Sequence, residues 1–294
     1  MKKQLSIISV FIFFLFSFPI YSQKADSDST DKAELETILK KCAEYCEKLA
    51  NSALFFVCQE EIKEEINQGI QGNLGSSPTI ALSGNITMRG SAVSRIIEKN
   101  VYIYDYQLIK KGEKIEETRI LLKENGKKKY EKNAPLKTKR FYSKRSVMGP
   151  VGLFSKVWQD KYDYKIVKEE TVKGRKAYVI EIKPKTAIEG NPNYGKAWVD
   201  KEDFTVLKIE IKQESLAGFE KFEQEVKDRL MPLFTTTHHY FIEEKGIRFP
   251  SKTVFVEKYM GTRRNVLRAS ETTITYDNYK FFTVDVEVIY KSKI

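Results

Sequence analysis

The chain has 294 residues, which is enough for one large hydrophobic core or two small ones, and a single domain is the simpler interpretation. Its formal net charge of +11 favours anionic partners. Nucleic acid is not expected among them, because the sequence lacks zinc-finger spacing and aromatic-basic binding motifs and begins with an export signal.

The first residues have the pattern of a signal peptide. Lys2 and Lys3 precede an uncharged run over 5–21 that is rich in Ile, Phe, Leu and Val, and the small residue Ser22 follows. An uncleaved membrane anchor is the alternative, but the run is shorter than the ~20 residues that a spanning helix needs. We predict a signal peptide over 1–22 and a mature chain of charge +9 that is soluble in the periplasm or secreted.

A polar leader and an amphipathic helix follow the signal peptide. Residues 23–30 are poor in apolar side chains, which predicts a short disordered leader ahead of one domain over 31–294. From Asp31 to about residue 50, apolar residues recur at three- and four-residue spacing. This spacing predicts a helix with one apolar face that another element must cover.

The three cysteines lie close together in the sequence, at Cys42, Cys46 and Cys58. In an oxidising compartment they can form at most one intramolecular disulfide. If the strand after the helix runs back antiparallel beside it, Cys58 comes level with Cys42, which predicts a Cys42–Cys58 disulfide. The histidines His238 and His239 lie far away in the sequence, so neither a metal site nor a cofactor is expected.

After the helix the pattern changes to short runs in which apolar and polar residues alternate. Glycine-containing pairs that favour tight turns separate several of these runs: Asn125-Gly126, Lys173-Gly174 and Lys245-Gly246. Because tight turns join antiparallel neighbours, the sequence predicts a meandering antiparallel sheet of about ten to twelve strands.

Two stretches depart from this alternation. The apolar stretch 146–158 contains Gly149, Pro150 and Gly152, and it predicts either a short helix or an apolar loop over a cavity. The stretch 215–230 has helical spacing and predicts a second helix. The predicted fold class is α+β: a large curled antiparallel sheet, an incomplete barrel, with one N-terminal helix and one or two covering helices.

Strand alternation assigns side chains to a dry face of this sheet. Six residues of two strands have the same parity as their apolar neighbours, and we predict that they line this face and contact an apolar ligand: Tyr178, Ile180, Ile182, Leu207, Ile209 and Ile211. Charged residues such as Glu181, Lys208 and Glu210 alternate with them and predict a wet opposite face. The three tyrosines of the run over 102–106 fit either face.

The stretch between Lys123 and Arg145 contains ten basic and two acidic residues. A solvated lysine-rich loop is one interpretation. The other is a surface that docks on an anionic membrane face or an acidic protein partner, since each basic residue near an anionic surface contributes ~1 kcal/mol. The residues predicted for this contact are Lys127, Lys128, Lys129, Arg140 and Arg145.

Three strand-turn-strand units resemble a known superfamily. They are GRKAYVIEIKPK at 174–185, GKAWVDKEDFTVLKIEI at 195–211 and GIRFPSKTVFVEKY at 246–259. From about residue 100 to 294 the order of elements is similar to that of the outer-membrane lipoprotein-sorting (LolA-like) superfamily. The resemblance implies an incomplete antiparallel barrel, closed by helices, whose apolar concave side holds acyl chains, as in lipoprotein transport.

No pattern in the sequence predicts an enzyme. The chain lacks the G-x-S-x-G, H-E-x-x-H and P-loop motifs. The acidic cluster of Glu60, Glu61, Glu64 and Glu65 is interpreted as a solvated strand end, and His238 and His239 as structural residues, one pointing inward and one outward.

The predicted function is therefore that of an exported soluble binding protein. It would hold a lipid or a lipoprotein acyl chain on the concave face of the sheet, as a carrier or an envelope sensor. The alternative is a protein-binding or structural periplasmic module whose core is filled by its own side chains.

Overall fold

The structure, a computed structural model, describes residues 24–52, 55–68, 97–111, 114–140, 146–186, 193–216, 219–226, 230–261 and 264–282. Its helices and strands are, in chain order, α1 Lys24–Ser52, β1 Phe55–Asn67, β2 Ile97–Lys111, β3 Lys114–Glu124, β4 Lys127–Lys132, α2 Gly149–Phe154, α3 Lys156–Gln159, β5 Tyr162–Val172, β6 Arg175–Pro184, β7 Gly195–Asp200, β8 Val206–Ile211, α4 Phe219–Val226, β9 Leu230–His239, β10 Ile242–Glu244, β11 Ile247–Phe249, β12 Lys252–Gly261 and β13 Val266–Phe281.

Eleven of the strands form one sheet, in the order β4-β3-β2-β1-β13-β12-β9-β8-β7-β6-β5, and every pair of neighbours is antiparallel. β10 and β11 form a separate hairpin. In the part of the chain that the structure describes, β4 and β5 are the two edges, so the sheet is not closed into a barrel. The predicted fold class is confirmed.

The three predicted tight turns are present, and both residues of each have positive φ. The φ values are 47° and 79° at Asn125-Gly126, 49° and 83° at Lys173-Gly174, and 51° and 69° at Lys245-Gly246. Two successive residues in the left-handed region match the right-handed twist of the flanking strands, which is why these pairs close hairpins. They connect β3 to β4, β5 to β6 and β10 to β11.

Several element boundaries differ from the predictions. Helix α1 begins at Lys24, so residues 24–30, predicted to be a disordered leader, form its first turns. The helix predicted over 215–230 is the shorter α4, and β9 begins at Leu230. The predicted signal peptide lies outside the described residues. No helix in the described part of the chain is long and apolar enough to span a bilayer.

One face of the sheet, which we call the inner face, carries most of the hydrophobic core. The inner face packs against the apolar side of α1, whose Ile38, Cys42, Cys46 and Leu49 are at most 1% exposed, and against Leu153 and Phe154 of α2. The spacing of these α1 residues is the one that the sequence predicted for a covered helix face.

The connection from β4 to β5 explains how the inner face is covered. These strands are at opposite edges of the sheet, and the described parts of the connection between them, residues 133–140 and 146–161, lie over the inner face and are here called the crossing segment. Near β2, Tyr104 Oη accepts a hydrogen bond from the amide of Lys137 at 3.2 Å. Farther along, Tyr240 Oη donates to the carbonyl of Ser146 at 2.8 Å, and Tyr164 Oη on β5 donates to that of Leu153 at 2.6 Å.

The stretch 146–158, for which a helix or a loop was predicted, is a short 3-10 turn followed by α2 and α3. The crossing segment lies close against Tyr240 and Ile209 at Gly149. A methyl group on its Cα would overlap the hydroxyl of Tyr240 and lie 3.3 Å from Cδ1 of Ile209, whereas a methyl group on Gly152 would meet no atom within 4 Å.

We expect Gly149→Ala to lower the free energy of unfolding by about 1–3 kcal/mol, because the added methyl overpacks the contact with Tyr240 and Ile209. Gly152→Ala, in the same helix, is the matched control and should stabilise the protein by up to about 1 kcal/mol through helix propensity. Urea denaturation of both variants measures the difference. Equal effects would mean that the crossing segment does not press on the sheet at Gly149.

Candidate functional site

The predicted dry face lies on the inner face of the sheet. Tyr178, Ile180, Ile182, Ile209 and Ile211 are all buried there in the main core. The cover over them is helical: Tyr178 Oη donates a hydrogen bond to Glu34 Oε1 of α1 at 2.6 Å. The structure therefore brings five of the six predicted ligand residues together beneath α1 and α2.

Leu207, the sixth, belongs to the opposite side of the sheet, which we call the outer face. It packs there in a small second cluster with Ala177, Val179 and Trp198. The cause is a β-bulge: Trp198 pairs with Lys208, but Val199 pairs with Val206, so Leu207 is an extra residue in β8. Alternation alone assigned it to the wrong face.

The middle of the inner face is polar. Thr236, His238, Thr253 and Thr272 all lie there, at most 7% exposed, around the ring of Phe255. His238 Nδ1 is 2.9 Å from Thr253 Oγ1, and burial lowers the pKa of this histidine to about 4, with a smaller contribution from His239. One histidine was predicted to point inward and one outward; in the structure His238 points inward and His239 outward.

The hydroxyl groups of Thr236 and Thr272 differ from that of Thr253. The Oγ1 atoms of Thr236 and Thr272 are buried and have no hydrogen-bond partner among the described residues. In register they flank Phe255 on the neighbouring strands β9 and β13. A buried hydroxyl without a partner costs about 1–3 kcal/mol, and most buried polar groups in proteins are paired.

Beyond Thr272 the inner face carries three buried carboxylates, Glu60, Glu64 and Glu257, which are at most 3% exposed. The predicted solvated strand end is thus wrong for Glu60 and Glu64, which share the parity of the buried Ile62. Glu60 accepts hydrogen bonds from Arg119 at 2.6 and 3.0 Å. The pKa of Arg119 is raised: its bonds to Glu60 outweigh burial, which alone would lower it.

The other two carboxylates hold the crossing segment. One oxygen of Glu64 accepts the amide hydrogens of Lys139 and Arg140, at 2.8 and 3.0 Å. Glu257 accepts hydrogen bonds from Nε of Arg140, at 2.9 Å, and from a second nitrogen of the same guanidinium. It also accepts hydrogen bonds from the hydroxyls of Ser270 and Tyr259. All three carboxylates are therefore partnered.

The predicted docking residues do not form one surface. Arg140 points into the inner face and pairs with Glu257, so its assignment as a docking cation is wrong. The number of basic residues in a stretch does not show whether an arginine there is solvated or pairs with a carboxylate distant in the sequence. Lys127, Lys128 and Lys129 lie on β4, where all six residues are exposed. Arg145 is outside the described residues.

The predicted Cys42–Cys58 disulfide is not formed, and all three cysteines are buried free thiols. The prediction placed β1 alongside α1, but α1 packs against α2, α3, β5 and β11. Cys42 Sγ lies 3.6 Å from the carbonyl of Phe204, and Cys46 Sγ lies 3.3 Å from that of Pro150. Burial raises the pKa of Cys46 to about 12, which keeps its thiol protonated.

The groups of the inner face that could transfer a proton are already bonded to protein partners. Glu60 and Glu257 form ion pairs with Arg119 and Arg140, Glu64 accepts two backbone amides, and His238 is bonded to Thr253. Among the described residues no group of three His, Cys, Asp or Glu side chains is arranged to hold a metal ion. What the inner face offers is apolar area and the two free hydroxyls, which the sequence did not reveal because a threonine inside a strand run fits either face.

Comparison with known proteins gives similarities of fold. A family model described as that of an uncharacterized protein matches residues 136–230, and no curated protein matches the chain significantly. A putative outer membrane lipoprotein-sorting protein domain from Vibrio parahaemolyticus is 13% identical, with 85% of this chain and 94% of that chain covered and a TM-score of 0.43.

Two further structures are similar over comparable lengths. A DUF1329 family protein from Desulfovibrio piger is 12% identical, covering 84% of this chain and 92% of that one, with a TM-score of 0.38. A LolA superfamily protein from Nitrosomonas europaea is 14% identical, covering 85% and 94%, with a TM-score of 0.31. The descriptions of two of the three structures refer to the superfamily that the sequence resembles.

We expect Arg140→Gln to lower the free energy of unfolding by about 3 kcal/mol, because it leaves the buried carboxylate of Glu257 without its counter-charge. Lys139→Gln is the control, since that side chain is 56% exposed and pairs at the surface with Glu98, an interaction that contributes less than about 1 kcal/mol. Adding Glu257→Gln to the Arg140 variant should recover part of the loss. Equal effects of the two single variants in urea denaturation would mean that Arg140 lies on the solvated surface and does not pair with Glu257.

Proposed function

We propose that this protein binds a lipid or an acyl chain between the inner face of its sheet and the helical cover of α1 and α2, as a carrier or sensor outside the cytoplasm. The observation that carries the proposal is the pair of unpartnered, buried hydroxyls of Thr236 and Thr272 beside an apolar surface. A ligand that has both a hydrocarbon chain and hydrogen-bonding groups matches both features.

The order of side chains across the strands supports an amphiphile. Register places one inner-face row across seven strands, from apolar to acidic: Ile182, Gly195, Ile211, Thr236, Phe255, Thr272 and Glu64. A chain lying along this row would have hydrocarbon over the isoleucines and hydrogen-bonding groups beside the threonines. Adjacent strands are ~4.8 Å apart, so the two threonines are separated by ~10 Å, with the ring of Phe255 between them.

The partnered carboxylates restrict the head group of such a ligand. Because Glu60, Glu64 and Glu257 already accept hydrogen bonds from Arg119, Arg140 and backbone amides, the polar end of the row holds no unpaired counter-charge for an ionic group. Burying an uncompensated charge is far more costly than burying an ester or a hydroxyl. We therefore infer that the part of the ligand inside the protein is uncharged.

Entry of a ligand requires the cover to move. α1 and the crossing segment cover the inner face, and the helix side chains pack against the buried isoleucines beneath them. The alternative function, a protein-binding or structural module with a filled core, differs on this point alone. In that case the cover never opens, and no lipid is taken up.

Replacing both free hydroxyls tests the ligand. Thr236→Val together with Thr272→Val keeps the side-chain shape, removes two unsatisfied groups and should leave the stability of the lipid-free protein unchanged or higher. We expect the double variant to retain less lipid than the wild type when each is purified from the same cells and measured by native mass spectrometry.

Thr253→Val is the matched control for this experiment. Its hydroxyl is bonded to His238, so its loss should cost about 1–3 kcal/mol of stability without a direct effect on bound lipid. Absence of co-purified lipid from the wild-type protein would favour the filled-core module. Lipid that is unaffected by the double threonine variant would place the ligand elsewhere.

The exposed strand β4 is proposed as the contact with an anionic membrane face. Mature protein should sediment with vesicles that contain anionic lipid at low salt and be released at ~0.5 M salt, because screening removes the attraction beyond a few ångströms. Changing Lys127, Lys128 and Lys129 to Gln should abolish sedimentation. Changing Lys63, Lys99 and Lys183 to Gln removes the same charge from other strands and should leave sedimentation intact. An equal loss of sedimentation in both triple variants would mean that only the net charge of the protein matters.

A further inference from the structure

The outer face carries a row of basic residues that the binding function does not use. In register, His239 of β9 lies directly between Lys208 of β8 and Lys252 of β12. All three side chains are on the outer face, since their neighbours Ile209, His238 and Thr253 point inward. Directly opposed side chains in antiparallel strands have Cβ atoms about 4.5–5.5 Å apart, so two ammonium groups flank one imidazole.

Aromatic rings and a third lysine complete the surroundings of His239. The ring of Phe241 stacks on His239 with centroids 5.7 Å apart, and Lys173 Nζ lies 4.1 Å from the centroid of Phe241. On the other side, Lys208 Nζ lies 3.8 Å from the centroid of Trp198, which is 4% exposed. These rings fix the lysine side chains, which would otherwise sample many rotamers in solvent.

The positive charges of this cluster are only partly balanced. Lys208 pairs with Glu210 at 3.4 Å, whereas no described carboxylate pairs with Lys173 or Lys252. Nδ1 of His239 is buried and has no hydrogen-bond partner among the described residues. Burial and then the charges of Lys208, Lys252 and Lys173 lower the pKa of His239 to about 4, so its ring is neutral at pH 7.

We propose that Lys173, Lys208, Lys252 and His239 form a binding site for a phosphate-type oxyanion on the outer face. The ammonium groups supply charge-assisted hydrogen bonds, and Nδ1 of His239 supplies a donor that the protein leaves unused. The positive charge of the three lysines disfavours a metal cation. The site is independent of the lipid-binding proposal, because its side chains are on the opposite face of the sheet.

An anion at this position reverses the potential that keeps His239 neutral. A bound anion would favour the imidazolium form, so the pKa of His239 rises when the anion binds, and at a pH near this pKa the ring takes up a proton from solvent. The two histidines of the chain make this measurable, since His238 and His239 are the only ones in the sequence. His238 is buried on the inner face and serves as an internal control within every sample.

The test is a titration of the mature protein with inorganic phosphate, followed through the imidazole C–H signals by NMR at constant ionic strength. We expect the signals of His239 to shift saturably and its pKa to rise by about one unit or more, while those of His238 stay in place. Lys252→Gln and Lys208→Gln should each weaken phosphate binding several-fold. Lys63→Gln, on the outer face of β1, should leave it unchanged.

Two sources of the oxyanion are separated by a second arm with phosphatidylglycerol vesicles in phosphate-free buffer. A response to inorganic phosphate supports a soluble ligand, and a response to the vesicles alone supports a lipid head group. A His239 signal that stays fixed in both arms overturns the site. A shift that is non-saturable, or that persists in Lys252→Gln and Lys208→Gln, also overturns it, since only general electrostatic screening would remain.

Discussion

The contact of the crossing segment with the buried carboxylates of Glu64 and Glu257 is the constraint on which the rest of the structure depends. β4 and β5 are opposite edges of the sheet, and the described parts of the connection between them lie over the inner face. Backbone amides on such a path have to be satisfied away from water, and Glu64 accepts two of them while Glu257 binds Arg140. Without these acceptors the path would carry unpaired polar groups.

The same contact divides the inner face into a charged end and an apolar end. Each buried carboxylate is tolerated because an arginine or several donors neutralise it, which is costly to assemble and costly to break. Along the inner-face row that begins at Glu64, the side chains change from threonine on β13 and β9 to isoleucine on β8 and β6. A surface of this kind suits the uncharged amphiphile proposed above, and the lysines of the outer face suit the proposed anion.

Period-two alternation predicted the antiparallel architecture and most of the inner face, because that signal is local. Leu207 was misassigned because a bulge changes the parity within one strand, and no residue type marks the bulge in the sequence. Glu60 and Glu64 share the parity of Ile62 and Ile66, so alternation did contain the signal for their burial. Their charge outweighed it, since their partners, Arg119 for Glu60 and the amides of Lys139 and Arg140 for Glu64, are supplied by segments distant in the sequence.

The inner and outer sites depend on one strand register. His238 and His239 are consecutive, so the alternation of β9 sends one side chain to each face. The bond between His238 and Thr253 holds β9 and β12 in the register that also sets His239 between Lys208 and Lys252. A slip of one residue in β9 would exchange the faces of all its side chains and turn His239 inward, away from Lys208 and Lys252. The hydrogen bond of the buried, neutral His238 therefore fixes the register of β9 for both faces and keeps His239 on the outer face.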